Sequence, residues 1–312
     1  MPSQLAFIFP GQGSQSVGML AELAAQYPKV EQTFAEASAG AGVDLWKIAS
    51  AGPEDVLNST ENTQPALLAA SVAVWRVWEE RGGPRPARLA GHSLGEYSAL
   101  VCAGALSLHD GAALVAERGR LMQAAVPPGV GAMAAILGGD DVQIAAVCDE
   151  VAQGQVVAPA NFNSPGQLVI AGHAEAVDRA LARLAELGVK KAIKLAVSVP
   201  SHCALMREAA DRLGERMASI AWQLPSIPVV QNAEARSYTT LEDIRAALQR
   251  QLYLPVRWTE CVQALVAGGA TRMAEAGPGK VLAGLAKRID KSVEARAIGT
   301  PAELEAARAE WA

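Results

Sequence analysis

Residues 88–102 read Arg-Leu-Ala-Gly-His-Ser-Leu-Gly-Glu-Tyr-Ser-Ala-Leu-Val-Cys, and the reading of this stretch decides the fold. Arg88 to Gly91 reads as a short strand, and Leu94 to Cys102 spaces its apolar side chains for a helix. Between them, Gly91-His92-Ser93-Leu94-Gly95 matches GxSxG, a sharp strand-to-helix turn that lifts a serine hydroxyl clear of a sheet edge. A plain turn of small residues is the alternative; the strand-to-helix context favours a nucleophile at Ser93.

Upstream, Leu5 to Phe9 is an unbroken apolar run, as in a fully buried strand, and Pro10 to Ser14 is a turn signal. Gln64 to Arg81 has helical spacing, with Pro65 at its start and Gly82-Gly83 just past its end. Downstream of the break at Val126 to Val130 the rhythm changes. Ala132–Leu137 is strand-like, Asp140–Ala152 helix-like and Val156–Pro159 strand-like; a turn at Asn163–Gly166 leads into strand-like Gln167–Ala171, helix-like Ala174–Leu187 and strand-like Lys191–Val197. The order βαββαβ is the ferredoxin-like arrangement. It implies a small subdomain over 128–198, inserted into a large domain made of 1–127 and 199–312. In the last third Ile227–Gln231 and Arg272–Ala274 are strand-like, while Leu241–Leu252, Thr259–Ala267 and Lys280–Ile289 are helix-like.

A chain of 312 residues is long enough to bury a sizeable core, and 51% apolar residues with only 4% aromatic ones fit a helix-rich α/β protein packed with small side chains. The net charge of −5 argues against a general nucleic-acid or anionic-membrane surface. Cys102, Cys148, Cys203 and Cys261 lie far apart, with no CxxC pair and no histidine at ligand spacing, so reduced thiols and no metal site are expected. Met1 to Pro10 lacks the basic and long apolar regions of an export signal, and no run approaches the ~18 apolar residues of a membrane span. A cytoplasmic protein is expected.

A serine nucleophile needs a base within hydrogen-bond reach. His92 adjoins Ser93 and is expected to point away from the sheet edge; His109 suits a cap or solvent, and His173 a surface turn. His202, in Ser198-Val-Pro-Ser-His202 where the chain re-enters the large domain, sits at a junction that can face the serine. Glu208 and Asp211 follow it on a helix running away, so a Ser/His dyad is favoured over an acid-assisted triad; an orienting backbone carbonyl would leave no sequence signal. Two donors must meet the oxyanion. The N–H of Leu94 is one candidate and Gln12, in the loop after the first strand, brings the second. That loop also reads as a plain turn; it lacks the lysine of a P-loop. Arg118 lies on a predicted helix, where an arginine is usually solvated; facing the pocket, its planar fork would hold a substrate carboxylate.

These segments together resemble the malonyl-CoA:acyl carrier protein transacylase family. The resemblance is carried, in order, by Phe9-Pro-Gly-Gln-Gly-Ser-Gln15, Gly91-His-Ser-Leu-Gly-Glu96, Glu117-Arg-Gly-Arg120, Asn161-Phe-Asn-Ser-Pro-Gly-Gln167, Val199-Pro-Ser-His202, Arg250-Gln-Leu-Tyr253 and Gly277-Pro-Gly-Lys280. It implies an α/β-hydrolase-like large domain with a ferredoxin-like insertion. It further implies Ser93 as nucleophile, His202 as general acid/base, the backbone N–H groups of Gln12 and Leu94 as oxyanion hole, and Arg118 as carboxylate clamp. Asn161 is implied near the serine and histidine, and Gln251 as the residue whose main-chain carbonyl orients His202. The implied activity is ping-pong transfer of a malonyl group from malonyl-CoA to an acyl carrier protein. No cofactor of its own is implied, since phosphopantetheine belongs to the partner. No nucleic-acid or membrane partner is implied, and a monomer is expected. Ser201, before the histidine, is small where polyketide-type acyltransferases often carry an aromatic, which favours a stand-alone enzyme of fatty-acid synthesis. A serine thioesterase or esterase, or a polyketide-type acyltransferase, is the alternative.

Overall fold

The computed structural model describes residues 4–195, 197 and 199–312. The strand expected to run to Val197 and the Ser198–His202 junction therefore each contain a residue outside the described ones, as does the N-terminal reading. The described strands, in chain order, are β1 (Leu5–Phe9), β2 (Arg88–Gly91), β3 (Gly131–Leu137), β4 (Val157–Ser164), β5 (Gln167–His173), β6 (Lys191–Lys194), β7 (Val229–Val230), β8 (Arg272–Glu275) and β9 (Glu294–Ala297). They form two sheets. One is parallel, ordered β7-β2-β1-β8-β9; the other is antiparallel, ordered β4-β5-β3-β6.

A parallel sheet is covered on both faces, and β1 shows why its sequence is continuously apolar. Leu5, Phe7 and Phe9 point into one core with the helix Thr60–Glu80; Phe7 meets the Trp75 ring edge-on at 5.0 Å. Ala6 and Ile8 point into a second core with the helices Trp258–Ala267 and Val281–Ile289. Alternation is thus present in β1, but both faces are buried, which the residue types alone do not distinguish.

The antiparallel sheet places Ala134, Ile136, Leu168 and Ile170 against the helices Asp141–Val151 and Ala174–Glu186. Met133, Ala160, Val169 and Ala171 face the other way, packed with Cys203. Strand order and helix placement are those of a ferredoxin-like unit. β4 is also joined by backbone to the segment before the helix Trp258–Ala267: Phe162 N–H donates to Val256 O at 2.9 Å and Val256 N–H to Ala160 O at 2.8 Å.

Some boundaries differ from the sequence reading. The first long helix begins at Thr60 rather than Gln64. The Ser59 carbonyl accepts from Asn62 and Thr63, and the Thr63 hydroxyl donates to Leu57 O, closing an extra turn before Pro65. β4 continues through Asn161 and Asn163 to Ser164 because pairing with Val256 and register shifts at Pro159/Asn161 and Phe162/Ser164 carry it past its proline. β9 and the helix Pro301–Trp311 were not expected from the sequence.

Candidate active site

β1 and β2 end side by side, with Phe9 paired to Gly91 and His92 N–H donating to Phe9 O at 2.9 Å. Ser93 follows β2 with φ of 51°, a left-handed conformation that side chains rarely adopt. The turn is tight enough to demand its glycines. A Cβ on Gly91 would lie 1.9 Å from the carbonyl carbon of Gly95, and one on Gly95 would lie 2.0 Å from Phe9 O. The strained serine is held from behind: its N–H donates to Asn232 Oδ1 at 2.7 Å, and its carbonyl accepts from Gln251 Nε2 at 2.9 Å.

The Ser93 hydroxyl lies 2.8 Å from His202 Nε2, and His202 Nδ1 lies 2.7 Å from the main-chain carbonyl of Gln251. A carbonyl only accepts, so Nδ1 carries the proton and Nε2 presents its lone pair to the serine. His202 is buried, with φ of 62° and its N–H bonded to Leu252 O. Burial first, and the Arg118 charge second, push its pKa down to about 3, the Gln251 carbonyl opposing them. At neutral pH the imidazole is therefore uncharged and able to take a proton. No carboxylate touches His202 among the described residues; Asp211 instead accepts from Gln249.

Gln12 and Leu94 face Ser93 and His202 across a cavity of about 350 Å³. Among the described residues neither the Gln12 nor the Leu94 N–H has a protein acceptor, so both donors stand free. The antiparallel sheet walls the other side with Met133, Asn161, Asn163 and Val169. Asn161 is buried on β4, and its side chain has no protein partner among the described residues.

Arg118, on the helix Leu108–Ala124, is 1% exposed and lines the same cavity. Nη1 donates to Gln64 Oε1 at 2.8 Å, while Nη2 donates to Gln251 Oε1 at 3.1 Å and to the Ser93 hydroxyl at 3.3 Å. Its Nε finds no protein acceptor among the described residues, and the guanidinium lies 5.4 Å from the Tyr97 ring centroid. Burial pushes its pKa down and that of the Tyr97 phenol up to about 12. Among the described residues no carboxylate contacts this buried cation. A buried charge without a partner is costly, so the site favours an anion delivered by a ligand.

His92 corrects an expectation. Its ring lines the cavity, with Nε2 2.8 Å from Asn163 Oδ1 and the ring 5.5 Å from that of Trp258, because the elbow turns it toward β4. Burial pushes its pKa down. His109 is exposed beside Asp110, and His173 ends β5, with Nδ1 accepting from Val156 N–H at 2.9 Å. Cys203 is buried with its thiol donating to Pro200 O, and burial pushes its pKa up to about 11, which makes it a poor nucleophile.

Sequence reasoning missed Gln64, Glu96 as more than part of a motif, and the Gln231–Asn232 pair. Asn232 follows the buried β7 as Gln12 follows β1 and Ser93 follows β2, and polar residues at the carboxyl ends of parallel strands are the signal that would have found it.

The acyl transferase domain family matches residues 6–301 of the chain. A malonyl CoA-acyl carrier protein transacylase of Salmonella typhimurium is 58% identical over 98% of this chain and 99% of its own length, and one of Bacillus subtilis is 44% identical over 98% and 96%. The crystal structure of a malonyl-CoA:acyl carrier protein transacylase from Xanthomonas oryzae superimposes with a TM-score of 0.99 at 65% identity, covering 100% of both chains. A malonyl-transacylase in complex with its type II polyketide synthase acyl-carrier protein gives 0.97 at 55% identity, over 99% of this chain and 100% of that one. With the elbow, the dyad and the family match in agreement, the chain belongs to the acyl transferase domain family, within its malonyl CoA-acyl carrier protein transacylase branch.

Proposed function

We propose that this chain transfers a malonyl group from malonyl-CoA to the phosphopantetheine thiol of an acyl carrier protein, through a malonyl ester on Ser93. The observation that carries the reading is Arg118, a buried cation that no carboxylate contacts among the described residues and whose Nη2 lies 3.3 Å from the Ser93 hydroxyl. An acyl group ending in a carboxylate is the ligand such a site favours.

In the first half-reaction, His202 Nε2 takes the Ser93 proton as Oγ attacks the thioester carbon. The oxyanion accepts from the N–H groups of Gln12 and Leu94, and the imidazolium then protonates the departing coenzyme A thiolate. The carrier thiol reverses these steps. Arg118 holds the malonyl carboxylate throughout, and Asn161 is placed to contact the acyl chain. Pairing Arg118 with that carboxylate also offsets the charge that depresses His202, so a malonyl donor makes the base stronger at the moment it is needed. Gln251 orients the base. The chemistry calls for no cofactor held by this chain, and phosphopantetheine arrives on the partner.

Residues 1–127 with 199–312 are read as the large catalytic domain and 128–198 as the small subdomain. The small Ser201 beside the base supports a stand-alone enzyme of fatty-acid synthesis, and we further read it as a cytoplasmic monomer. Among the described residues no helix is long and apolar enough to cross a membrane. Radiolabelled malonyl-CoA is expected to label the wild type and not Ser93→Ala; equal labelling of the two would overturn the reading. Passage of the label to a thiol rather than to water separates a transferase from a thioesterase.

A further inference from the structure

Glu96 takes no part in the steps above, yet it lies fully buried in the first turn of the helix Gly95–Cys102, immediately behind the nucleophile. Oε1 accepts from Gln231 Nε2 at 2.8 Å; Oε2 accepts from Asn232 N–H at 2.7 Å and from Gln251 Nε2 at 3.0 Å. We propose that Glu96 is a positioning residue for acyl transfer: its carboxylate sets the polarity of the Gln251 amide and thereby the facing of Arg118 and His202 toward Ser93. The inference rests on the malonyl-transfer reading.

The argument runs through one amide. The nitrogen of Gln251 donates to Glu96 and to Ser93 O, while its oxygen accepts from Arg118 Nη2, so a single amide bridges a buried anion and a buried cation. Rotated by half a turn, it would set N–H against guanidinium N–H and oxygen against carboxylate oxygen. The charge on Glu96 forbids that rotation. The main-chain carbonyl of the same Gln251 holds His202 Nδ1, and Asn232, whose N–H Glu96 also accepts, takes the Ser93 N–H on its side chain. Glu96 thus touches both residues that brace the serine and none of the reacting atoms.

Protonating Glu96 would leave an O–H among three N–H donors, so loss of its charge loosens this arrangement. Burial, against those donors, brings its pKa to about 7. The other charged or titratable groups that feel it are Arg118, Tyr97 and Cys261. A guanidinium keeps its proton near neutrality, and burial pushes the Tyr97 phenol up to about 12 and the Cys261 thiol up. Burial and the Arg118 charge push His202 down to about 3, and burial lowers His92. Glu275 also reaches about 7, but its carboxylate accepts from Leu282 and Ala283 at the start of the helix Val281–Ile289, away from Gln251.

The test is the pH dependence of Ser93 malonylation in a single turnover of the whole enzyme, with malonyl-pantetheine as donor because it carries no phosphate titrating near neutrality. Wild type is expected to lose rate as pH falls, with an inflection near 7. Glu96→Gln is expected to be roughly tenfold slower at high pH and flat across the range. A Glu96→Gln rate within about twofold of wild type, or an inflection that survives the substitution, would overturn the role. Should Glu96→Gln fail to fold, Gln231→Met removes one donor from Oε1 and is expected to move the inflection upward; an unmoved inflection overturns the role on its own. A wild type flat across neutrality does the same. Absence of any malonyl ester in wild type would overturn the transfer reading and this inference with it, whereas an ester formed equally fast by Glu96→Gln removes only the inference.

Discussion

The parallel sheet and the antiparallel sheet meet at one cavity but bring different things to it. From the carboxyl ends of β1 and β2 come Gln12, Ser93 and Leu94, and from behind β7 comes Asn232; the strands point into a common crevice, where loop N–H groups are free to donate. The antiparallel sheet pairs its backbone in its own ladder and, at β4, with Val256, and offers side chains from one face, chiefly Met133, Asn161 and Val169. Chemistry resides in the first and shape in the second. The difference follows from geometry: parallel strands gather their ends on one edge, while antiparallel strands alternate theirs.

Substitutions can break this division, and the largest effect is expected at the base. His202→Ala should lower kcat for malonyl transfer by about 10³-fold or more with the fold intact. Circular dichroism alongside the rate checks both halves. Arg118→Ala comes next, with malonyl transfer falling about 10²-fold, some 3 kcal/mol, and acetyl transfer falling far less. Equal losses for the two donors would remove the carboxylate clamp.

The base has a pH signature of its own, because His202 is depressed to about 3 by burial first and the Arg118 charge second. Its folded pKa lies below the ordinary value of 6.5, so between 6.5 and about 3 the unfolded chain binds more protons and stability falls as pH falls. Glu96 and Glu275, raised to about 7 from 4.5, act with the opposite sign: their contribution to stability grows as pH falls from about 7 to 4.5. Urea unfolding at pH 7 and about 5 should therefore show the change in stability of His202→Gln over that interval to be more favourable than that of wild type by roughly 2 kcal/mol. Identical changes would place the depression elsewhere.

On the antiparallel side the effects should be smaller. Asn161→Ala is expected to reduce kcat/KM about tenfold, mostly in KM; a loss as large as that of Arg118→Ala would give this sheet a chemical role. Smallest of all is Lys194→Ala on the edge strand β6. Its half-exposed pair with Asp178 should change stability by only about a few tenths of a kcal/mol, read as a nearly unmoved melting temperature.

How legible all this was in the sequence depended on whether a residue's role is local. The β1 run, the elbow between Gly91 and Gly95 and the βαββαβ order each write themselves in neighbouring residues, and the structure contains each of them. β9 reads Glu-Ala-Arg-Ala, without a β-branched residue; pairing with β8 makes it a strand. Arg118 shows the same limit in the site. A helical arginine reads as solvated, and only packing of its helix against Thr60–Glu80 buries it beside Gln64. Glu96 lies more than a hundred residues from both Asn232 and Gln251, as Ser93 does from Gln251, and no local pattern announces such pairings.

The backbone join between β4 and Val256 has a mechanical consequence. Val256 lies just beyond Gln251 and Leu252, the two residues that grip His202, so the wall of the cavity and the mount of the base share one stiff strut. A jaw hinged between the layers would have to shear those bonds each time it opened. The cavity is better likened to a socket bored in a single casting, and a socket of about 350 Å³ suits an acyl group carried on a long flexible tether.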